Sequence, residues 1–239
     1  MSLPRLRLEK CRKEGRLWLI DEEQAHHLSH VRRCATGDFA EGLLDGTKIK
    51  LRLRFSADET SAEEVSRCEE ASPAVEIELL LALLKSEQFD EALRFAAETG
   101  VSKIRLLACE RSVPKYEGVR LAEKMSRWRR VLDESTKQAG AARAPQLCEP
   151  VKPAELNVAS LPQTRLAAMF SQEALNIRDV KFDGSAAVAI GPEGDWSSEE
   201  SRFFLENGFA PITLGRRILR ASTAVAVACG VLSLINDAG

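Results

Sequence analysis

The sequence is short of nearly every feature that marks a specialised chain. It holds one Tyr and three Trp, and aromatic residues make up only 5% of its 239 positions. No apolar run approaches the ~18 residues needed to cross a bilayer, so a membrane-spanning helix is not expected. Met1–Arg16 is densely charged and offers no apolar signal core, which points to a cytoplasmic location. The six cysteines, Cys11, Cys34, Cys68, Cys109, Cys148 and Cys229, stand 23 to 81 residues apart, so none forms the close pair of a zinc knuckle or redox motif. Cys109 and Cys229 sit in apolar runs and read as buried small hydrophobes. The three histidines, His26, His27 and His30, lie together, but no Glu stands between them and no distant ligand is evident, so no metal is expected. Gly-x-Gly-x-x-Gly after a strand, Gly-Lys-[Ser/Thr] and Gly-x-Ser-x-Gly are all missing. These absences disfavour a dinucleotide fold, a phosphate loop and a serine hydrolase.

Net charge is scarce too: 34 Lys+Arg stand against 36 Asp+Glu, leaving −2. Taken whole, that argues against a polyanionic partner. Taken by segment it does not. Residues 1–54 carry 12 basic and 8 acidic side chains, and residues 101–152 carry 12 and 6. Between them, residues 55–80 hold one Arg against eight acids. Association with a polyanion follows the local field, so two basic regions keep nucleic acid open as a partner.

The acidic stretch Ser56–Ala74 ends in Ser72-Pro73 and reads as a boundary, dividing residues 1–72 from 73–239. Before it, Arg16–Ile20, Phe39–Leu44 and Lys48–Phe55 have β character, broken by one short helix near Glu22–Val31. Lys48–Phe55 alternates cationic and apolar residues, and Asp45-Gly46 supplies its hairpin turn. A small β-barrel is the expectation. After it, strands at Val75–Leu84, Lys103–Ala108, Arg165–Phe170, Ala186–Ile190 and Pro211–Leu214 alternate with helices at Gln88–Glu98, Val119–Gln138, Ser198–Asn207 and Ala221–Asn236. That alternation predicts an α/β domain built on a largely parallel sheet.

Ligands of such sheets bind in loops beyond the carboxyl ends of strands. Two of those loops are unusual. Gly191-Pro192-Glu193-Gly194-Asp195-Trp196 precedes a helix that Ser197 and Glu200 can start as a capping box. An ordinary turn accounts for Gly191 and Pro192 but leaves Glu193, set between glycines, without a reason. Leu214-Gly215-Arg216-Arg217-Ile218-Leu219-Arg220 gathers three arginines at the start of an apolar helix, whose N-terminus already carries partial positive charge. An anionic partner would relieve that crowding. Arg216 and Arg217 fit a solvated turn, whereas Ile218 and Leu219 predict partial burial for Arg220.

Together, Ile-Gly-Pro-Glu-Gly at 190–194 and Leu-Gly-Arg-Arg-Ile-Leu-Arg at 214–220 resemble the paired signature of the RsmE-type methyltransferases of the SPOUT superfamily. The resemblance spans the chain. It includes Leu-Pro-Arg at 3–5, His27-Leu28 with Val31, Arg33 and Gly37-Asp38, Glu-Arg-Ser-Val at 110–113, and Trp128, Glu134, Gln138, Gly140 and Pro145. It departs at Asp195 for a second glycine, Ser222 for a glutamate, Ala141 for an arginine that Arg143 lies near enough to replace, and Lys85-Ser86 for Lys-Gly.

The resemblance implies a PUA-like β-barrel RNA-binding domain and a SPOUT α/β domain whose C-terminal part is threaded into a trefoil knot. It also implies a homodimer and S-adenosylmethionine-dependent methylation of N3 of a uridine in 16S (small-subunit) ribosomal RNA, without metal or membrane. The methyl donor would be held by Gly191, Pro192, Glu193, Gly194, Leu214, Gly215, Ile218 and Leu219, with a third loop after the strand ending at Phe170. Arg220 is the candidate catalytic group, because a cation stabilises the uracil anion that must attack. Arg5, Arg33, Arg111 and Arg143 are the candidate RNA contacts. Rival readings are a related enzyme acting on another RNA position, and an inactive RNA-binding or ribosome-assembly factor.

Overall fold

The computed structural model describes residues 3–71, 75–182 and 184–235. Within them the chain divides into two compact units, residues 3–71 with 134–144, and residues 75–133 with 145–235. The expected boundary at Ser72-Pro73, and Asn236 as the expected helix end, lie outside the described residues.

The first unit is a six-stranded sheet made of β1 (Arg5–Arg7), β2 (Arg12–Glu14), β3 (Leu17–Leu19), β4 (Phe39–Leu44), β5 (Thr47–Phe55) and β6 (Thr60–Glu69). Their order is β1-β4-β5-β6-β3-β2, and only the β1–β4 pairing is parallel. α1 (Glu22–His26), capped by Asp21, runs into a π-helical turn over His27–Val31. The period-two pattern of β5 is realised directly: Ile49, Leu51 and Leu53 are fully buried while Lys50, Arg52 and Arg54 are exposed. Leu44 pairs with Thr47 across a two-residue turn. Asp45 and Gly46 both have positive φ there, 37° and 78°, which is the backbone that matches strand twist in tight hairpins.

The acidic stretch is not a linker. Residues 60–69 form β6, paired along β5 from Thr47↔Glu69 to Phe55↔Thr60. Its acids therefore meet the cationic row. Lys48 pairs with Glu70 at 2.9 Å, Arg54 pairs with Glu63, and Lys50 and Arg52 lie over the Phe39 ring at 4.5 and 5.4 Å. Arg67 grips Glu64 with Nε and Nη2, both at 2.8 Å, and that hydrogen bonding holds the Glu64 carboxyl down at about 2. Opposite charges facing each other across a sheet contribute roughly 0.2–1 kcal/mol per pair. Composition alone does not reveal a strand in such a segment, because the compensating charges are supplied by another strand.

The second unit holds a seven-stranded sheet of β7 (Glu76–Ala82), β8 (Lys103–Leu107), β9 (Gln146–Val151), β10 (Thr164–Ala168), β11 (Leu175–Asn176), β12 (Ser185–Ile190) and β13 (Ala210–Thr213). Its order is β11-β13-β10-β12-β7-β8-β9 and every pairing is parallel. Three longer helices belong to this unit, α2 (Ser86–Glu98), α4 (Ser198–Glu206) and α5 (Ala221–Ile235), while α3 (Gly118–Ala139) has residues 118–133 in it and 134–139 in the first. Residues 186–190 of β12 are all buried, as a strand covered on both faces must be. Phe89, Leu93 and Ala96 of α2 are buried with Ala224, Val225 and Ala228 of α5 in one core. Because β13, β10 and β12 are parallel neighbours, their carboxyl ends share one sheet edge and the loops leaving them meet. β10 stops at Ala168, two residues short of the expected Phe170, so Met169 and Phe170 belong to such a loop.

Candidate active site

The meeting loops enclose a cavity of about 410 Å³. Met169 and Phe170 contribute to it from the loop after β10, and Gly191, Pro192, Glu193 and Asp195 from the loop after β12. Leu214, Gly215 and Arg217–Ala221 contribute from the loop after β13, with Gln88 and Ala224 from two helices. Of the sequence-predicted residues, Phe170, Gly191, Pro192, Glu193, Leu214, Gly215, Ile218, Leu219 and Arg220 are thus brought together.

Gly194 is not on this wall. A Cβ on it would lie 3.1 Å from the Cβ of Arg111, so its lack of a side chain serves the fit to Arg111. Arg220 is exposed rather than partly buried, and its guanidinium makes no ion pair or hydrogen bond among the described residues. Burial falls instead on its neighbour Leu219, which packs half-buried against the core, while Ile218 is 81% exposed and Phe170 73%.

The 191–196 loop is held from several sides. Glu193 Oε1 accepts the backbone N–H of Lys85 at 3.0 Å, at the start of α2, which gives this carboxylate between glycines a structural reason. The Trp196 indole donates to the carbonyl of Ala168 at 2.9 Å, tying the loop to the end of β10. A Cβ on Gly191 would lie 3.0 Å from that indole. Asp195 N–H donates to Pro192 O at 2.9 Å, closing a turn, and Asp195 itself has φ 62°. A glycine adopts that left-handed backbone cheaply, and Asp is among the few side chains that tolerate it. The capping box then forms: Ser197 N–H donates to Glu200 Oε2 at 2.9 Å and Glu200 N–H to Ser197 Oγ at 3.3 Å.

Sequence reasoning missed Met169, Gln88, Arg217 and Asp195 as cavity residues. Two of them had a signal: Arg217 lies inside the arginine-rich loop, and Asp195 stands directly beside the glycines. Gln88 had none, because only the fold brings the first turn of α2 to this edge. Its side-chain oxygen is buried without a hydrogen-bond partner among the described residues. The hydroxyl of Ser222, in the first turn of α5, is also buried and unpartnered among them.

The arginines expected to meet RNA have diverse settings. Arg5 is occupied internally: Nε donates to Glu41 at 3.2 Å and Nη1 bonds the Gln138 carbonyl. A Cβ on Gly140 would strike its guanidinium. Arg143 is exposed, with Nε 3.9 Å from the Asp45 carboxylate. Arg33 is exposed at φ 53°. Arg111 is exposed but donates from Nη1 to the carbonyls of Gly194 at 3.0 Å and Trp196 at 3.2 Å.

A second cavity, of about 600 Å³, lies beyond the ends of β7, β8 and β9, with Cys109, Tyr116, Lys152, Glu200 and Phe203 in its lining. Burial, reinforced by the Glu200 charge, pushes the Cys109 thiol far above its usual range, so it is no thiolate nucleophile. Burial likewise pushes Cys229 up to about 12. Among the described residues no cluster of three or more His, Cys, Asp and Glu could hold a metal, and no helix is long and apolar enough to cross a membrane.

Comparison with known proteins gives this edge a setting. The chain is 28% identical over 227 residues to ribosomal RNA small subunit methyltransferase E 2 of Borreliella burgdorferi, covering 91% of this chain and 90% of that one. Among solved structures, a Legionella pneumophila protein in complex with bound SAM is 26% identical, with a TM-score of 0.85 and 97% of each chain covered. The fold is also shared with ribosomal RNA small subunit methyltransferase E of Neisseria gonorrhoeae, at 24% identity and a TM-score of 0.83 over 97% of each chain. The model of one family, described as an RNA methyltransferase domain, matches residues 70–233, which hold the entire cavity and every loop around it. On that match the chain belongs to the RNA methyltransferase family.

Proposed function

We propose that this chain transfers a methyl group from S-adenosylmethionine to N3 of a uridine in 16S ribosomal RNA. In this reading it works as a cytoplasmic homodimer, with residues 1–72 as a PUA-like RNA-binding domain and residues 73–239 as a knotted SPOUT domain. The observation that carries the proposal is the 410 Å³ cavity at the carboxyl edge of the sheet, with Arg220, unpaired among the described residues, on its wall. The names of the relatives and the SAM held by the Legionella protein support the choice of donor and substrate.

The residues present suit that donor. The cavity combines glycine backbone at 191 and 215, apolar Leu214 and Leu219, and the buried unpartnered oxygen of Gln88, an acceptor suited to an amino group. Gly191, Pro192, Leu214, Gly215, Leu219 and Gln88 would hold it, and when bound it supplies an electrophilic methyl group. The chain's own task is then alignment and charge. The pinned 191–196 loop fixes one wall so that the reacting atoms meet in line. Uracil N3 attacks only after its proton passes to solvent water, and Arg220 favours the resulting anion by placing positive charge where negative charge develops.

The test is nucleoside analysis of 16S rRNA from cells with and without this protein, paired with calorimetry of S-adenosylmethionine binding. N3-methyluridine should vanish without the protein and return with it. Unchanged nucleosides alongside normal cofactor binding would move the activity to another RNA target; no cofactor binding would leave an RNA-binding factor.

A further inference from the structure

Arg111 has the composition of an RNA contact and the geometry of something else. It follows β8, whose loop runs beside the 191–200 segment, and the backbone around it is fastened there. Glu110 N–H donates to Glu200 Oε1 at 2.8 Å, and Ser112 is buried. From this base the side chain crosses Gly194, whose missing Cβ makes room, and its Nη1 reaches two carbonyls at once, those of Gly194 and Trp196. These two groups flank Asp195, the residue in the left-handed backbone conformation. Two carbonyl oxygens turned toward one point repel each other unless a donor lies between them. A strained backbone persists only when its surroundings over-determine it. One cationic nitrogen between the two carbonyls meets both requirements, and hydrogen bonds from a charged donor are the stronger kind.

We propose that Arg111 is a positioning residue for the methyl-donor cavity: it clamps the 194–196 backbone so that the wall carrying Gly191, Pro192, Glu193 and Asp195 is formed before the donor arrives. The inference rests on the donor site proposed above, and it gives Arg111 a role in cofactor binding where its charge suggested a phosphate contact.

Three measurements on the full-length protein test it: calorimetric affinity for S-adenosylmethionine, affinity for small ribosomal subunits, and steady-state KM and kcat. They are made on wild type, Arg111→Ala and Arg111→Lys, with far-UV circular dichroism and melting temperature recorded for each. Loss of the clamp should weaken donor affinity about tenfold in Arg111→Ala, given the two hydrogen bonds removed. KM for the donor should rise in parallel, while kcat at saturating donor and affinity for subunits stay within about twofold. Lys, which keeps a cationic nitrogen but on a shorter, differently shaped side chain, should recover part of the loss. Unchanged donor affinity in Arg111→Ala, or a loss confined to subunit affinity, would overturn the proposal and return Arg111 to RNA contact. If wild type itself binds no S-adenosylmethionine, the proposed function fails first and this inference with it.

Discussion

The two glycine-containing loops that face each other across the cavity are built on opposite principles. The loop after β12 spends its polar groups inward: Glu193 on the α2 backbone, Trp196 on the end of β10, Asp195 on its own turn, and the Gly194 and Trp196 carbonyls on Arg111. The loop after β13 spends almost none. Thr213 Oγ1 bonds Gly215 O at 2.9 Å, while Arg216, Arg217, Ile218 and Arg220 remain exposed. A wall fixed in advance lowers the ordering cost of binding a small ligand, and a wall of unspent cations is free to meet an anion. Under the proposed function, the contrast would give precision to one loop and substrate charge to the other.

The comparison breaks most visibly at Arg220. If the second loop carries the chemistry, Arg220→Ala should slow single-turnover methyl transfer to undermethylated small subunits by about 10²–10³-fold, the usual cost of deleting one preorganised electrostatic donor. Because the guanidinium has no ion pair among the described residues to lose, donor affinity and melting temperature should hardly move. A rate within a few fold of wild type would show that charge stabilisation comes from elsewhere on that loop.

The first loop should respond in the opposite sense. Glu193→Ala removes the acceptor for Lys85 N–H, a bond worth about 1 kcal/mol net. Donor affinity should fall about three- to tenfold and the melting temperature by about 2–4 °C, with the single-turnover rate at saturating donor nearly unchanged. Glu193→Gln keeps an acceptor oxygen and should restore most of the loss. A drop in rate rather than in affinity would erase the distinction between the loops.

Both loops were legible in the sequence because their signals are local: glycines at a turn, a capping box, arginines crowded at a helix start. The alternating strand β5 and the continuous apolar run of β12 were legible for the same reason. What stayed hidden depends on distant pairing. β6 is acidic and exposed over residues 65–69, and its pairing along β5, where Arg54 meets Glu63, is what a reading of its own residues does not show. β1, β2, β9 and β11 are short or weakly patterned and are held by their neighbours' backbones. Gln88 enters the cavity through topology. Arg5 and Arg111 carry the charge of RNA contacts, yet the carbonyls that occupy them lie 133 and 83 residues away in sequence.

The finest test of the pinned loop is Asp195, where two small effects oppose each other. Its φ of 62° costs a non-glycine residue about 1 kcal/mol, whereas its carboxylate Oδ1 accepts the Trp196 N–H at 2.8 Å and recovers a similar amount. Asp195→Gly removes the strain and the hydrogen bond together and also loosens the unfolded chain, so stability should change by less than about 1 kcal/mol. Asp195→Ala keeps the strain and loses the bond, and should destabilise by about 1–2 kcal/mol, read as a melting-temperature drop of about 2–8 °C. The decisive quantity is the difference between the two variants. If Gly and Ala behave alike, backbone strain at 195 is irrelevant and the clamp around it has nothing to hold. If Ala is clearly worse in both melting temperature and donor affinity, the left-handed turn is part of how the first wall keeps its shape, which the second wall does not need.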